Sequence, residues 1–178
     1  MAEAKKRQKF FDVDMPILNK ETQLYGYDVE ELKNRYIKYD LTRFLRGKSM
    51  VLRMKVKVEG ERVFAEPVEA IVLPYFIRRM MRKGTNYVED SFSTECKNAV
   101  LTIKPFLITR KKVSRAVQNA LRIKAREELK NYVKNKDSKT LFDELIKNNI
   151  QKNLSLTLKK VYPLSMCEIR IFRVEKEL

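Results

Sequence analysis

The amino-acid sequence predicts an α+β fold: an antiparallel, barrel-like β core flanked by about three helices and preceded by a basic N-terminal arm. Three observations lead to this prediction. Residues 52–58, LRMKVKV, alternate apolar and basic side chains with the period of two that is typical of a half-buried strand. Residues 110–134 are rich in helix formers. Strand-like and helix-like segments follow one another without the regular alternation that produces a parallel sheet.

The first half of the chain is predicted to consist mainly of strands. Residues 9–16, KFFDVDMP, predict a first strand that the proline ends. Residues 35–39, RYIKY, indicate another strand, whereas residues 17–34 give no clear assignment. After the alternating segment, residues 62–73 predict a returning partner strand, in which the proline marks an edge or a bulge.

Residues 73–84, LPYFIRRMMRKG, predict a short helix with two opposed faces. Its apolar and basic side chains come in alternating pairs: Phe76, Ile77, Arg78, Arg79, Met80, Met81, Arg82 and Lys83. At about 100° per residue, the apolar pairs share one side and the four cations share the other. Pro74 suits the first helical turn, and Gly84 suits the left-handed position beyond the last turn.

A hairpin and a long helix are predicted next. Residues 87–95 and 98–109 predict the two strands of the hairpin, and the second is apolar on both faces, as a central strand is. Residues 110–134 predict a helix whose inward side is formed by Val113, Val117, Ala120 and Leu121. The opposite side carries a basic stripe of Lys111, Arg115, Arg122, Arg126 and Lys130. Towards the end of this helix, Lys124 falls on the apolar side and Leu129 on the basic side.

A third helix and a last strand complete the prediction. Asp137 or Ser138 is expected to cap a helix that runs through residues 140–161, and Pro163 ends it. Residues 165–174, SMCEIRIFRV, predict the closing strand because they are rich in β-branched and aromatic side chains.

Length and composition predict one domain. The chain has 178 residues, of which 44% are hydrophobic, enough to build a core. We expect a basic arm at residues 1–9 and a single domain at residues 10–178. No signal-peptide pattern or run of about 20 apolar residues is present, so a cytoplasmic location is expected. Cys96 and Cys167 have no metal-ligand spacing and are expected to be reduced thiols.

The charge of the chain indicates a polyanionic partner. The net charge is +16, and residues 74–134 contain 15 Lys and Arg but only 5 Asp and Glu, a surplus of ten. Phosphate binding accounts for the basic short helix, the basic long helix and the TRKKVSR segment together. Recognition is expected to depend on shape and charge rather than on base edges. The candidate phosphate-binding residues are Lys5, Lys6, Arg7, Lys9, Arg78, Arg79, Arg82, Lys83, Arg110, Lys111, Lys112, Arg115, Arg122 and Arg126.

Several enzyme classes are disfavoured by residues that the sequence lacks. There is no histidine, and the four glycines are isolated, so histidine-dependent catalysis and a glycine-rich phosphate loop are excluded. Asp12 and Asp14 are the best remaining clue, because alternate residues of a strand point to the same side. We favour a charged edge strand for this pair over a cation site. No catalytic residue, cofactor or metal is predicted.

Four segments in order resemble a known family. They are KFFDVDMP, LPYFIRRMMRKGTNYVEDSF, FLITRKKVSRAVQNALRIKAREEL and LKKVYPLSMCEIRIFRV. Their order and approximate spacing are similar to those of the archaeal and eukaryotic small-subunit ribosomal protein family "e-S-one" (older name "S-three-A-e"). The resemblance implies a non-enzymatic ribosomal RNA (rRNA)-binding protein with a barrel-like core, on the small-subunit platform near the mRNA exit. It also implies contacts with neighbouring platform proteins and with mRNA near the exit. Because the chain lacks the family's usual helix cap and turn glycine, we expect it to be a divergent archaeal member.

The resemblance implies that the polyanion is rRNA, and two alternatives remain open. A free RNA- or DNA-binding module has the same charge pattern. A metal-dependent nuclease would use Asp12 and Asp14 together with Glu89 or Asp90. A membrane-surface protein is disfavoured because the basic helix is short and the chain has no Trp.

Overall fold

The computed structural model describes residues 7–45, 47–60 and 62–178, and within them the protein is α+β. The strands are β1 (Lys9–Met15), β2 (Lys20–Gly26), β3 (Tyr36–Asp40), β4 (Met50–Glu59), β5 (Arg62–Val72), β6 (Tyr87–Glu89), β7 (Phe92–Glu95), β8 (Ala99–Thr109) and β9 (Leu164–Glu177). The helices are α1 (Pro74–Met80), α2 (Arg115–Val133), α3 (Ser138–Ile146) and α4 (Asn149–Leu158). None of these helices is long and apolar enough to span a bilayer.

The sheet is mixed rather than purely antiparallel. Its strand order is β2-β1-β5-β9-β8-β6, with β3 and β4 joined through β5 and with β7 joined to β8. The contact between β1 and β5, at Asp14 and Phe64, is parallel, which corrects the antiparallel prediction. The pairings among the described residues do not close into a ring, so the barrel-like core stays a prediction.

The chain divides into two compact units. The first contains the described part of residues 1–39 and 53–68, and the second contains that of residues 40–52 and 69–178. In the first unit, β1 and β2 form a hairpin whose register runs from Lys9 opposite Gly26 to Met15 opposite Lys20. Strand β2 lies in the region that the sequence left unassigned.

The alternating segment forms β4 as predicted. Its buried side chains are Met50, Leu52, Met54 and Val56, and the residues between them are half-buried. The period of two therefore separates an inner face from a partly solvated basic face.

In the second unit, β8 is the central strand. It pairs antiparallel with β9 on one side and with β6 and β7 on the other. A register shift falls between Lys104 and Pro105, because proline has no backbone N–H to donate to a sheet. The single strand predicted over residues 87–95 is divided into β6 and β7 by Asp90 and Ser91.

Helix α2 buries Leu121 as predicted, but the rest of its buried face differs from the prediction. The buried residues are Leu121, Ala125, Leu129 and Val133, one every four positions, which corrects the assignment of Leu129 to the basic side. Ala120 is exposed, and Val117 is half-buried. The buried face is therefore set by the later turns of the helix, and the first turns alone predict a face that is rotated from it.

The predicted third helix is two helices. Asn148 adopts a left-handed conformation, with φ 59°, between α3 and α4. Asn tolerates this conformation better than most residues because its side chain can hydrogen-bond locally. Asp137 precedes α3 but makes no capping bond through its side chain. The side-chain oxygen of Asn98, in the β7–β8 turn, accepts the Ser138 N–H at 2.9 Å instead.

Candidate nucleic-acid interface

Helix α1 is fixed by a small apolar cluster and presents cations on its other side. Phe76 and Ile77 are buried in a cluster with Val72, Phe106 and Ile108. Arg78 and Arg79 are exposed. The helix ends at Met80, so Met81 lies outside it and is 40% exposed, contrary to the prediction that Met81 shares the apolar face.

The other two predicted cations of this segment lie in the turn after α1. Arg82 and Lys83 are both exposed. The Thr85 hydroxyl donates to the Arg82 carbonyl at 2.7 Å and closes the turn. Gly84 has φ 84°, a conformation that a side chain would strain, as expected for a glycine beyond a helix end.

Asn86 and Thr109 join this turn to the segment that precedes α2. The Thr109 hydroxyl accepts the Asn86 N–H at 3.0 Å and lies 2.8 Å from the Lys111 carbonyl oxygen. The Asn86 side-chain oxygen accepts the Val113 N–H at 2.9 Å. Thr109 is fully buried, so the bonds that its hydroxyl makes are partly shielded from water. We call this pair of residues the Asn86–Thr109 clasp.

The clasp brings two basic segments together. Arg82 and Lys83 precede it on one segment, and Arg110, Lys111 and Lys112 follow it on the other, all exposed. We define the clasped basic surface by these five cations with Arg78, Arg79 and Arg115. Except for Arg79, no side chain of this set has a hydrogen bond or ion pair with another described residue. Closely spaced cations without protein partners are suited to neutralise successive phosphates.

Helix α2 begins at Arg115 and is capped by Ser114. The Ser114 hydroxyl oxygen accepts the Val117 N–H at 3.4 Å, which satisfies one of the unpaired donors at the helix start. Arg115 and Arg122 are exposed, and Arg122 donates to the Asn119 side-chain oxygen at 2.7 Å.

Arg126 is held by an ion pair within the second unit. Its guanidinium donates to both carboxylate oxygens of Asp90, at 2.8 and 2.7 Å. The hydrogen bond from Arg126 lowers the pKa of Asp90, and the same bond raises the pKa of Arg126. The guanidinium carbon of Arg126 also lies 5.8 Å from the centre of the Phe92 ring. Arg126 therefore has a structural role in the second unit.

The candidates of the N-terminal arm are only partly within the described residues. Arg7 and Lys9 are exposed, and Lys9 is the first residue of β1. Lys5 and Lys6 lie outside the described residues.

The carboxylates considered for catalysis are not gathered into a metal site. Asp12 and Asp14 are exposed on β1, and Asp12 accepts a hydrogen bond from the Gln23 amide at 3.0 Å. Strand β1 lies between β2 and β5, so the interpretation of this pair as an edge strand is wrong. Glu89 pairs with Arg170, and Asp90 pairs with Arg126. The described residues contain no group of three His, Cys, Asp or Glu side chains that could hold a metal ion.

Sequence reasoning missed the loop that precedes β4. This loop lies beside α1, since the guanidinium of Arg79 is 3.5 Å from the Gly47 carbonyl oxygen and the Leu73 N–H donates to the Ser49 carbonyl at 3.0 Å. It carries exposed Arg43 and Phe44. The signal in the sequence is an aromatic residue between cations, in the stretch TRFLRGK.

Comparisons with known proteins agree with the resemblance in the sequence. A match to the Ribosomal S3Ae family extends over residues 2–177. The chain is similar to the small ribosomal subunit protein eS1 of Nanoarchaeum equitans, with 24% identity over 183 residues, covering 96% of this chain and 90% of that protein. It is also similar to the small ribosomal subunit protein eS1 of Methanothermobacter thermautotrophicus, with 28% identity over 103 residues, covering 57% of this chain and 53% of that protein. Because the family match covers nearly the whole chain, the chain belongs to the Ribosomal S3Ae family.

Proposed function

We propose that this protein is a structural constituent of the small ribosomal subunit that binds rRNA through phosphate contacts. The observation that carries the proposal is the clasped basic surface, in which the Asn86–Thr109 clasp joins two segments separated in sequence that both carry exposed cations. Family membership and the names of the two archaeal relatives support the ribosomal role.

The mechanism is positional. The buried side chains of α1 and the Asn86–Thr109 clasp fix the backbone from which the cations project. A polyanion then meets cations whose spacing is already set, and binding releases the counterions condensed on its phosphates. The protein thus stabilises one arrangement of the RNA backbone, with no chemical step.

We further propose where the protein lies and which residues form its RNA-binding domain. The protein sits on the platform near the mRNA exit, in the cytoplasm, beside neighbouring platform proteins and within reach of mRNA. Residues 10–178 act as a single rRNA-binding domain, and residues 1–9 act as a basic arm. The role is structural and not catalytic, as the ribosomal family implies, and the pairing of Glu89 and Asp90 with arginines disfavours the nuclease alternative.

Sedimentation of a native extract through a sucrose gradient tests the proposal. We expect the protein to migrate with the small subunit at low salt and to be released at high salt, because salt screens phosphate contacts. Migration with free protein at low salt would contradict the ribosomal role. Migration with bulk RNA, apart from the small subunit, would favour the free RNA-binding module.

A further inference from the structure

The loop before β4 presents an aromatic ring to solvent from a well-built turn. Phe44 is 56% exposed. Its N–H and that of Leu45 both donate to the Leu41 carbonyl at 2.9 Å, and Leu41 is fully buried. The Asp40 carboxylate accepts the Thr42 N–H at 2.7 Å. Buried and hydrogen-bonded residues therefore fix the start of the turn.

The end of the same loop is fixed by a buried ion pair. Lys48 is 7% exposed, and its ammonium lies 2.6 Å from the Glu168 carboxylate and 3.0 Å from the Asn148 side-chain oxygen. Removing one partner of such a pair leaves an uncompensated buried charge, so the anchor resists opening. The Ser49 carbonyl accepts the Leu73 N–H one residue before α1. With both ends held, the exposure of Phe44 is a property of the folded loop.

The position of Phe44 next to cations distinguishes it from another exposed phenylalanine. The loop before β4 that carries Phe44 (the Phe44 loop) approaches the clasped basic surface at Gly47, whose carbonyl oxygen lies 3.5 Å from the Arg79 guanidinium. Arg43, the residue before Phe44 in the sequence, is exposed. Phe10 is 68% exposed and packs against Tyr25, but it shares one face of β1 with the exposed Asp12 and Asp14. Carboxylates repel phosphates, so an RNA base is favoured on Phe44 and disfavoured on Phe10.

We propose that Phe44 binds an unpaired RNA base, which stacks on its ring while the clasped basic surface holds neighbouring phosphates. Every base has a π-face, so stacking adds affinity for unpaired nucleotides without selecting one base. The ligand class is RNA with a bulge, a loop or a strand end, because bases within a helix are not available for stacking on a side chain. This inference rests on the proposed function and specifies the kind of RNA that the basic surface binds.

Two RNA hairpins test it: one with an uninterrupted stem, and the same hairpin with one bulged 2-aminopurine, a fluorescent adenine analogue. We expect wild-type protein to prefer the bulged hairpin and to quench its fluorescence. Phe44→Ala should lower affinity for the bulged hairpin about 5- to 150-fold, with little change for the uninterrupted stem. Phe44→Tyr keeps the ring and should restore both the preference and the quenching.

Phe10→Ala is the matched control, since it removes an exposed phenylalanine from an acidic face and should leave the preference unchanged. The inference is wrong if wild type binds both hairpins equally, or if Phe44→Ala weakens both by the same factor. If the affinity for both hairpins still falls with rising salt in either of these cases, the phosphate-binding proposal stands without the stacking site. If wild-type protein binds neither hairpin, both proposals fail.

Discussion

At the scale of single residues, Asp90 shows how one carboxylate changes the role of a basic residue. Arg126 lies on the same side of α2 as Arg122. From charge and position on the helix alone, both residues are predicted to have the same role. Asp90 accepts both hydrogen bonds of the Arg126 guanidinium and connects α2 to the residue after β6. Arg115 has no such partner among the described residues. We therefore expect Arg115 to contribute more to RNA binding than Arg126 does.

Asp90→Asn should lower the melting temperature at pH 7. The hydrogen bond from Arg126 lowers the pKa of Asp90 in the folded protein, relative to about 3.9 in an unfolded chain. A carboxylate with a lowered folded pKa stabilises the protein above about pH 4, and this contribution is lost as the pH falls through the folded value. The difference in melting temperature between wild type and the variant should therefore shrink between pH 7 and pH 3.

Thermal unfolding followed by circular dichroism across this range measures the effect. Asp137→Asn is the control, because the Asp137 side chain is exposed and does not cap α3. A difference for Asp90→Asn that stays constant down to pH 3 would show that the carboxylate charge does not stabilise the fold.

At the scale of elements, the structure assigns the two sides of α2 differently from the sequence. Leu121 and Leu129 are both buried, whereas Ile123 is 51% exposed. The sequence placed the apolar side from the first turns of the helix, where Val113 precedes its first residue. The tertiary contacts of the later turns decide which side is buried, whereas Val113 lies outside the helix and gives no information about its sides.

Leu129→Ala should reduce the free energy of unfolding by about 2–5 kcal/mol, because it removes a buried side chain and leaves a cavity. Ile123→Ala removes an exposed side chain of the same helix and should change stability by no more than about 0.5 kcal/mol. Denaturant unfolding of the two variants gives both values. Equal losses would mean that the assignment of the buried side is wrong.

Local signals predicted some elements better than others. The alternation in β4 and the proline after β1 have physical effects within a few residues, and both predictions are confirmed. The break at Asn148 was missed because Asn is also compatible with an uninterrupted helix, and only its left-handed backbone separates α3 from α4. The parallel contact of β1 with β5 joins residues about 50 positions apart, which periodicity cannot reveal.

At the scale of the whole molecule, the charges of the candidate site could be read from the sequence, but its geometry could not. The surplus of cations in residues 74–134 indicated a polyanionic partner. The clasp depends on Asn86 and Thr109, two polar residues 23 positions apart that carry no recognisable motif. The anchor of the Phe44 loop likewise depends on Lys48 meeting Glu168 and Asn148, which is a property of the folded chain.

The salt dependence of binding to small-subunit rRNA tests the central claim most directly. We expect Arg78→Gln/Arg82→Gln/Lys83→Gln to flatten the plot of log affinity against log salt by about two units or more, since each lost phosphate contact removes roughly 0.7–0.9. The matched control, Lys33→Gln/Lys38→Gln/Lys160→Gln, removes three exposed cations outside the clasped basic surface and should keep the wild-type slope. A wild-type slope in the first variant, or equal flattening in both, would contradict phosphate binding by the clasped basic surface.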